Sequence, residues 1–253
     1  MRRTIILARL FISLVVSGLM ALPGLWIQGR KGGGKGQAAL LQRAGRWGRR
    51  SVQLGRGRVA LEGLEKIPTE GPVLYVANHQ GALDIPILMG HLPGAPGFVA
   101  KKELFDIPVL GYWMRRIGCV PLDRENPRAA RKQIMLAAES VKQGRRLVLF
   151  PEGTRSRDPE GRMGPFRRGS MKLALASGAV VVPITVEGSR FLMSSEAPDG
   201  FDGTVKVVVG DPIHVEALDE EAKKALPDVV HNLIDRTRVA HHMGGISERA
   251  VAP

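Results

Sequence analysis

A histidine and an aspartate five positions apart, His79 and Asp84, are the side chains whose types best suit proton transfer. A carboxylate on one imidazole nitrogen fixes the tautomer and leaves the other nitrogen free to take a proton. Along a single helix five residues turn through about 140°, so the two would not share a face. A turn through Gly81 can instead fold His79 back onto Asp84. The plain alternative is a turn histidine followed by an aspartate that caps a helix opening at Ile85-Pro86. Two further positions suit an anion: Arg124 and Arg155 each offer a planar guanidinium fork that matches phosphate oxygens. Arg155 belongs to the run Phe150-Pro151-Glu152-Gly153-Thr154-Arg155-Ser156. There Glu152 can bond a hydroxyl or position an arginine, and Gly153 lets the backbone approach a ligand closely. Taken singly, strand-end charges are commonly solvated and Pro-Glu-Gly reads as a turn.

These residues need elements to hold them. Val73–Ala77 is a continuous apolar run after Gly71-Pro72, the mark of a buried strand. It delivers His79 to a strand exit, where open α/β sheets bind their ligands. Further strands are predicted at Gly97–Ala100, Gly118–Leu122, Leu147–Phe150, Ala179–Val186 and Thr204–Val209. Helices are predicted at Ile85–Gly90, Ile107–Ile117, Arg128–Gln143, Gly169–Ser177 and Glu216–Thr237. Strands alternating with helical stretches imply an α/β fold, a mixed and largely parallel sheet covered by helices. The single cysteine, Cys119, excludes an intrachain disulfide and reads as a small buried hydrophobe in mid-strand.

The charge of +13 is concentrated at one end: twelve of the 37 Lys and Arg precede Glu62, the first acidic residue. Near an anionic bilayer each such charge contributes about 1 kcal/mol of attraction. A nucleic-acid partner would call for charge spread over the folded domain among aromatics, so none is expected. Leu10–Ile27 is mostly apolar but short of a secure membrane span, which takes about 20 residues. A retained spanning or leaflet-embedded anchor is favoured over a cleaved signal peptide, because Arg9 falls where the apolar part of a signal is uncharged. Gly32–Gly36 is a flexible linker with no Gly-Lys-Ser/Thr to make it a phosphate loop. A second helix over Gln37–Arg50 puts Leu40, Leu41, Ala44 and Trp47 on one face with arginines opposite, which suits the bilayer interface. The competing arrangement packs that helix on the domain. The chain thus divides into a membrane-engaging basic helical segment (1–57), an α/β domain (58–240) and a flexible tail (241–253) in which His241-His242 is a solvated pair.

In combination the motifs are specific. Asn78-His79 with Asp84, then Pro121-Leu122-Asp123-Arg124, then Phe150 to Ser156, then Val182-Pro183-Ile184 resemble the glycerolipid acyltransferase family. Among its members they look most like the bacterial 1-acyl-sn-glycerol-3-phosphate acyltransferases. Ala100-Lys101-Lys102-Glu103-Leu104 and Ile107-Pro108-Val109-Leu110-Gly111 are similar too, and the likeness runs from Val73 to Gly188. It implies transfer of a fatty acyl group from acyl-CoA or acyl-ACP to the sn-2 hydroxyl of lysophosphatidic acid, giving phosphatidic acid. It assigns catalysis to His79 and Asp84. Substrate binding falls to Lys101 (or Lys102), Arg124, Glu152, Gly153, Thr154 and Arg155. It also implies no cofactor beyond the acyl donor, no metal, anionic membrane lipids as partners, and a catalytic domain on the cytoplasmic side of the inner membrane. Pro121 departs from the bulky apolar residue common at that place. No Gly-x-Ser-x-Gly elbow is present, so direct transfer with His79 as base is expected rather than an acyl-enzyme. Two other readings stand beside this one: another lysolipid acceptor, such as lyso-ornithine lipid, and a non-catalytic basic membrane- or nucleic-acid-binding protein.

Overall fold

The computed structural model describes residues 12, 34–156, 158, 161–167, 169–194, 197 and 201–242. Leu10–Ile27 lies outside these residues except for Ile12. The chain opens with helix α1 (Gly34–Leu54), then β1 (Arg58–Glu62), β2 (Val73–Ala77), α2 (Asp84–His91) and β3 (Gly97–Lys101). It continues through α3 (Leu110–Arg116), β4 (Val120–Leu122), α4 (Pro127–Lys142), β5 (Leu147–Leu149) and α5 (Lys172–Ser177). It closes with β6 (Val180–Glu187), β7 (Thr204–Val209), β8 (Ile213–His214) and α6 (Glu220–Ala240). The strands form one sheet in the order β1-β7-β6-β2-β5-β3-β4, with β8 paired to β6. Only the β6–β7 and β6–β8 pairings are antiparallel, so the sheet is mixed and mostly parallel.

β2 sits near the centre with all five residues buried, because helices cover both faces. Successive side chains point to opposite faces. Val73, Tyr75 and Ala77 therefore join the core beneath α1 and α2, and Leu74 and Val76 the core beneath α4, α5 and α6. Helix α1 is part of the first core: Leu40, Ala44 and Val52 are buried with Ile87, Leu88 and Met89 of α2. Two glycines let the helices touch. A Cβ on Gly48 would lie 2.5 Å from Pro86 O, and one on Gly90 would lie 2.7 Å from Arg49 N. The apolar face expected at a bilayer interface is thus turned onto protein, since α2 offers it a matching apolar surface. Among the described residues no helix is long and apolar enough to cross a membrane.

Other departures have local causes. The predicted helix Ile107–Ile117 starts late: α3 begins at Leu110, and a 3-10 turn over Lys102–Asp106 precedes it. Between them Val109 takes φ 65° and ψ −54°, while Leu110 N–H bonds Pro108 O at 2.7 Å. That is a positive-φ γ-turn, a strained conformation for a β-branched residue. The last helix starts at Glu220 rather than Glu216, because the Asp219 side chain caps it by accepting the Ala222 N–H at 2.8 Å. Strands β1 and β8 have no counterpart in the sequence reading; β1 is a partly exposed sheet edge with a charge at either end. Cys119 precedes β4 rather than lying in mid-strand.

Candidate active site

At the exit of β2 the Asn78 side chain is buried and mimics a strand residue. Its Nδ2 donates to Val186 O at 2.9 Å and its Oδ1 accepts the Val186 N–H at 2.7 Å. This ties the exit to β6 and leaves His79 at the carboxyl edge of the parallel strands. His79 Nδ1 lies 2.7 Å from Asp84 Oδ2. A carboxylate can only accept, so Nδ1 carries the proton and Nε2 is free to take one. Oδ2 also accepts the N–H groups of Gln80 at 2.7 Å and Gly81 at 2.8 Å, and Oδ1 accepts the Ser189 hydroxyl. Asp84 does not cap α2. It is the first residue of that helix, Leu83 holds the cap position, and no side chain bonds the helix end. The preceding turn offers two N–H groups to one oxygen, and the fully buried carboxylate turns back to them.

The backbone of His79 is held as firmly as its ring. Its N–H donates to Glu152 Oε1 at 2.8 Å, and its carbonyl accepts the Ser156 N–H at 2.8 Å. The other Glu152 oxygen accepts the Gly164 N–H at 2.9 Å. Burial pushes the Glu152 carboxyl above the usual glutamate range. The His79 ring stacks on Phe150 with centroids 4.2 Å apart, and Phe150 stacks in turn on Phe98 at 6.2 Å. Beyond Phe98, on the α1–α2 face, a cavity of about 430 Å³ is lined by Trp47, Met89, Trp113, Met114 and Cys119, with Arg43, Arg46 and Arg50 on its wall. The Cys119 thiol there is pushed up to about 12 by burial.

Residues 58–187 match the acyltransferase family. The chain belongs to that family. It is 35% identical over 178 residues to the chloroplastic 1-acyl-sn-glycerol-3-phosphate acyltransferase of Arabidopsis thaliana, covering 70% of this chain and 49% of that one. The chain therefore spans about half the length of that relative. The 1-acyl-sn-glycerol-3-phosphate acyltransferase of Bacillus subtilis is 30% identical over 161 residues, 63% of this chain and 75% of the relative. In three dimensions the crystal structure of the 1-acyl-sn-glycerophosphate (LPA) acyltransferase PlsC from Thermotoga maritima matches with a TM-score of 0.75 and 26% identity, over 98% of this chain and 100% of that one.

In this acyltransferase-family chain the sequence candidates separate into two groups. His79 and Asp84 meet, and Glu152 joins them from below. Glu152 was expected against substrate, but it is buried and both its oxygens are taken by backbone donors. Gly153 serves the turn: its φ is 70°, its N–H closes onto Phe150 O at 3.0 Å, and a Cβ would strike the Arg167 side chain. Its carbonyl accepts from Arg124 Nη1. Thr154 and Arg155 are exposed beside the dyad, and Arg155 makes no hydrogen bond or ion pair among the described residues. Lys101 stands at the end of β3 with Nζ 3.5 Å from Glu103, whereas Lys102 is held by Asp123 at 2.8 Å. Arg167 was not foreseen. Its Nε donates to Glu152 O at 3.3 Å beside Arg124.

Ser189 was also missed, and so was a buried link behind the loop. Gln80 Nε2 donates to Glu187 Oε2 at 2.6 Å, and Gln80 Oε1 accepts the Gly188 N–H at 3.1 Å. Glu187 reaches His242 Nδ1 at 3.2 Å, and His241 Nδ1 lies 3.1 Å from Lys206 Nζ. The histidine pair is packed rather than solvated, and only residues 243–253 of the expected tail lie outside the described residues.

Proposed function

We propose that the chain moves a fatty acyl group from acyl-CoA or acyl-ACP to the sn-2 hydroxyl of lysophosphatidic acid, giving phosphatidic acid. The observation that carries this reading is the His79 Nδ1–Asp84 Oδ2 bond of 2.7 Å, with the carboxylate buried and saturated by donors. The names of the relatives supply the substrate class. The hydroxyl proton moves to His79 Nε2 as the oxygen attacks the thioester carbonyl. When the adduct collapses the C–S bond breaks, and the imidazolium returns the proton to the departing thiolate. Asp84 keeps the ring in the reactive tautomer and stabilises its charged form. Arg155 and Arg124, with Lys101, hold the acceptor phosphate and turn the hydroxyl toward His79. The donor's acyl chain occupies the apolar cavity beyond Phe98. Arg43, Arg46 and Arg50 beside that cavity meet anionic headgroups, with the apolar run Leu10–Ile27 anchoring the chain to the inner membrane and the catalytic domain on the cytoplasmic side.

The test is direct. Purified full chain, given lysophosphatidic acid with each donor, should form phosphatidic acid and free thiol. His79→Ala should lower turnover by about 10²–10⁴ while the chain stays folded. Near wild-type turnover in that variant would remove the base, and no product with either donor would overturn the acceptor. Membrane fractions should keep the chain in high salt, which screens charge within about 3 Å at 1 M, and release it in detergent.

A further inference from the structure

The carboxyl edge of β3 has a cavity on each side. Phe98 and Ala100 line the larger one described above, and Val99 between them lines a second of about 260 Å³ on the opposite face. That division follows from the alternation of a strand, and it makes β3 a partition between two apolar spaces. The second space is walled by Val99, Val120 and Leu149 from the sheet, Ile134 and Ala137 from α4, and Leu173 from α5. Phe150, the ring stacked on His79, closes its end nearest the dyad. Its rim carries Arg124 and Arg167.

The rim is positive and unneutralised. Arg124 spends one N–H on Gly153 O and Arg167 one on Glu152 O, and neither is paired to a carboxylate among the described residues. Asp123, the acid on the same rim, is already committed: Oδ2 to Lys102 at 2.8 Å, and Oδ1 to the N–H groups of Glu125 at 3.0 Å and Asn126 at 3.1 Å. Partial burial and the like charge of Arg167 hold Arg124 below the usual guanidinium range. Two adjacent cations that no carboxylate ion-pairs, with Glu103 acting on Arg124 only from a distance, favour an anionic ligand. An apolar space behind them favours a ligand with a chain attached to that anion.

A reaction that joins an acyl donor to a lysolipid brings two chains to one histidine. We infer that the second cavity takes the acceptor's own acyl chain, with Arg167 joining Arg124 at the phosphate end, while the donor's chain lies on the other face of β3. This rests on the lysolipid acyltransferase reading. The alternative occupant, the pantetheine arm of the donor, fits the rim less well. It carries its phosphate at the far end of a long amide arm from the thioester. Glycerol phosphate carries it on the carbon next to the one bearing the reacting hydroxyl. Arg124 is bonded to Gly153 and His79 to Glu152, adjacent residues of one loop, so the anion site and the base are close.

The full chain can be tested with lysophosphatidic acid bearing either a hexanoyl or an oleoyl chain. Ala130→Trp, on the α4 wall of the second cavity, should raise KM for the oleoyl acceptor about tenfold more than for the hexanoyl one and leave donor chain-length preference unaltered. Arg167→Ala should raise KM for both acceptors alike. A change in donor preference with Ala130→Trp would give the cavity to the donor and overturn the proposal. Because a bulky substitution can unfold the chain, the wild-type protein supplies a second readout. Oleoyl lysophosphatidic acid carrying a diazirine at the chain end should label residues 120–137 or 169–173 on irradiation. Labelling of α1–α3 residues around Trp47 and Trp113 instead would overturn it. Absence of phosphatidic acid from the wild-type chain with every acceptor would defeat the underlying reading, whereas product formation with misplaced labelling defeats only this one.

Discussion

The two ends of the site are built on opposite plans. At the base every polar atom of Asp84 is bonded, the His79 backbone is held on both sides, and the supporting carboxylates of Asp84, Glu152 and Glu187 are buried. At the cationic end Thr154, Arg155, Arg124 and Arg167 are exposed, and the guanidiniums bond only backbone carbonyls or nothing. The difference matches what each end has to do in the proposed reaction. Proton transfer loses steeply with small displacements, so its groups are fixed before substrate arrives. A phosphate has several equivalent oxygens, and flexible cations can find them after arrival.

The comparison predicts unequal responses to mutation. The largest should come from Asp84→Ala, which leaves the N–H groups of Gln80 and Gly81 and the Ser189 hydroxyl without their acceptor. Turnover should fall by 10² or more, in the range of about 10²–10⁴ for a lost acid–base function, and about 2 kcal/mol or more of stability should go with it. Denaturant titration and steady-state assays would measure both, and an unchanged midpoint would show that the buried carboxylate is not the keystone of the loop. Arg155→Ala should act in the other way. KM for the acceptor should rise about tenfold, the loss of one charge-assisted contact, with melting unaltered because the side chain is exposed. Full activity in Arg155→Lys would mean that the planar fork has no role.

Glu152 offers a finer probe. Its folded-state value is raised above the ordinary 4.5 by burial, so between the two values the folded chain holds a proton that the unfolded chain has lost. Stability of the wild type relative to Glu152→Gln should therefore decline as pH rises from 4.5 through that window, and then level off. A difference that grew with pH instead would mean that bonding from His79 and Gly164 outweighs burial. The smallest effect concerns Cys119. A thiol held at about 12 has almost no thiolate at pH 8, so alkylation of the native chain should be far slower than in denaturant. Rapid labelling would show that its pocket opens to water.

Much of the base end was legible because it is local. Gly71-Pro72 and a five-residue apolar run mark β2, and a glycine between His79 and Asp84 permits the turn that joins them. What could not be read is what arrives from elsewhere in the chain. Ser189 reaches Asp84 from 105 residues away, and Asn78 bonds Val186 across 108. Neither has a spacing that periodicity can detect, since both depend on β2 and β6 lying side by side. The burial of Glu152 was hidden for a related reason. A glutamate after Pro151 in a turn looks exposed until the strands place it beneath His79. Arg167 lay outside every strand-end motif, and only the fold of the 151–167 loop, where its N–H bonds Pro151 O at 3.0 Å, brings it beside Arg124.

The meeting of Gly48 with Gly90 bears on how this protein can be divided. The stretch that matches the acyltransferase family begins at residue 58, which invites a cut just before it. Yet the helix ahead of that point closes over Ile87, Leu88 and Met89, on the same short helix that begins with Asp84. The packed unit includes the helix that the family boundary leaves out. A displacement of α1 would be felt within one helix length by Asp84, the first residue of α2.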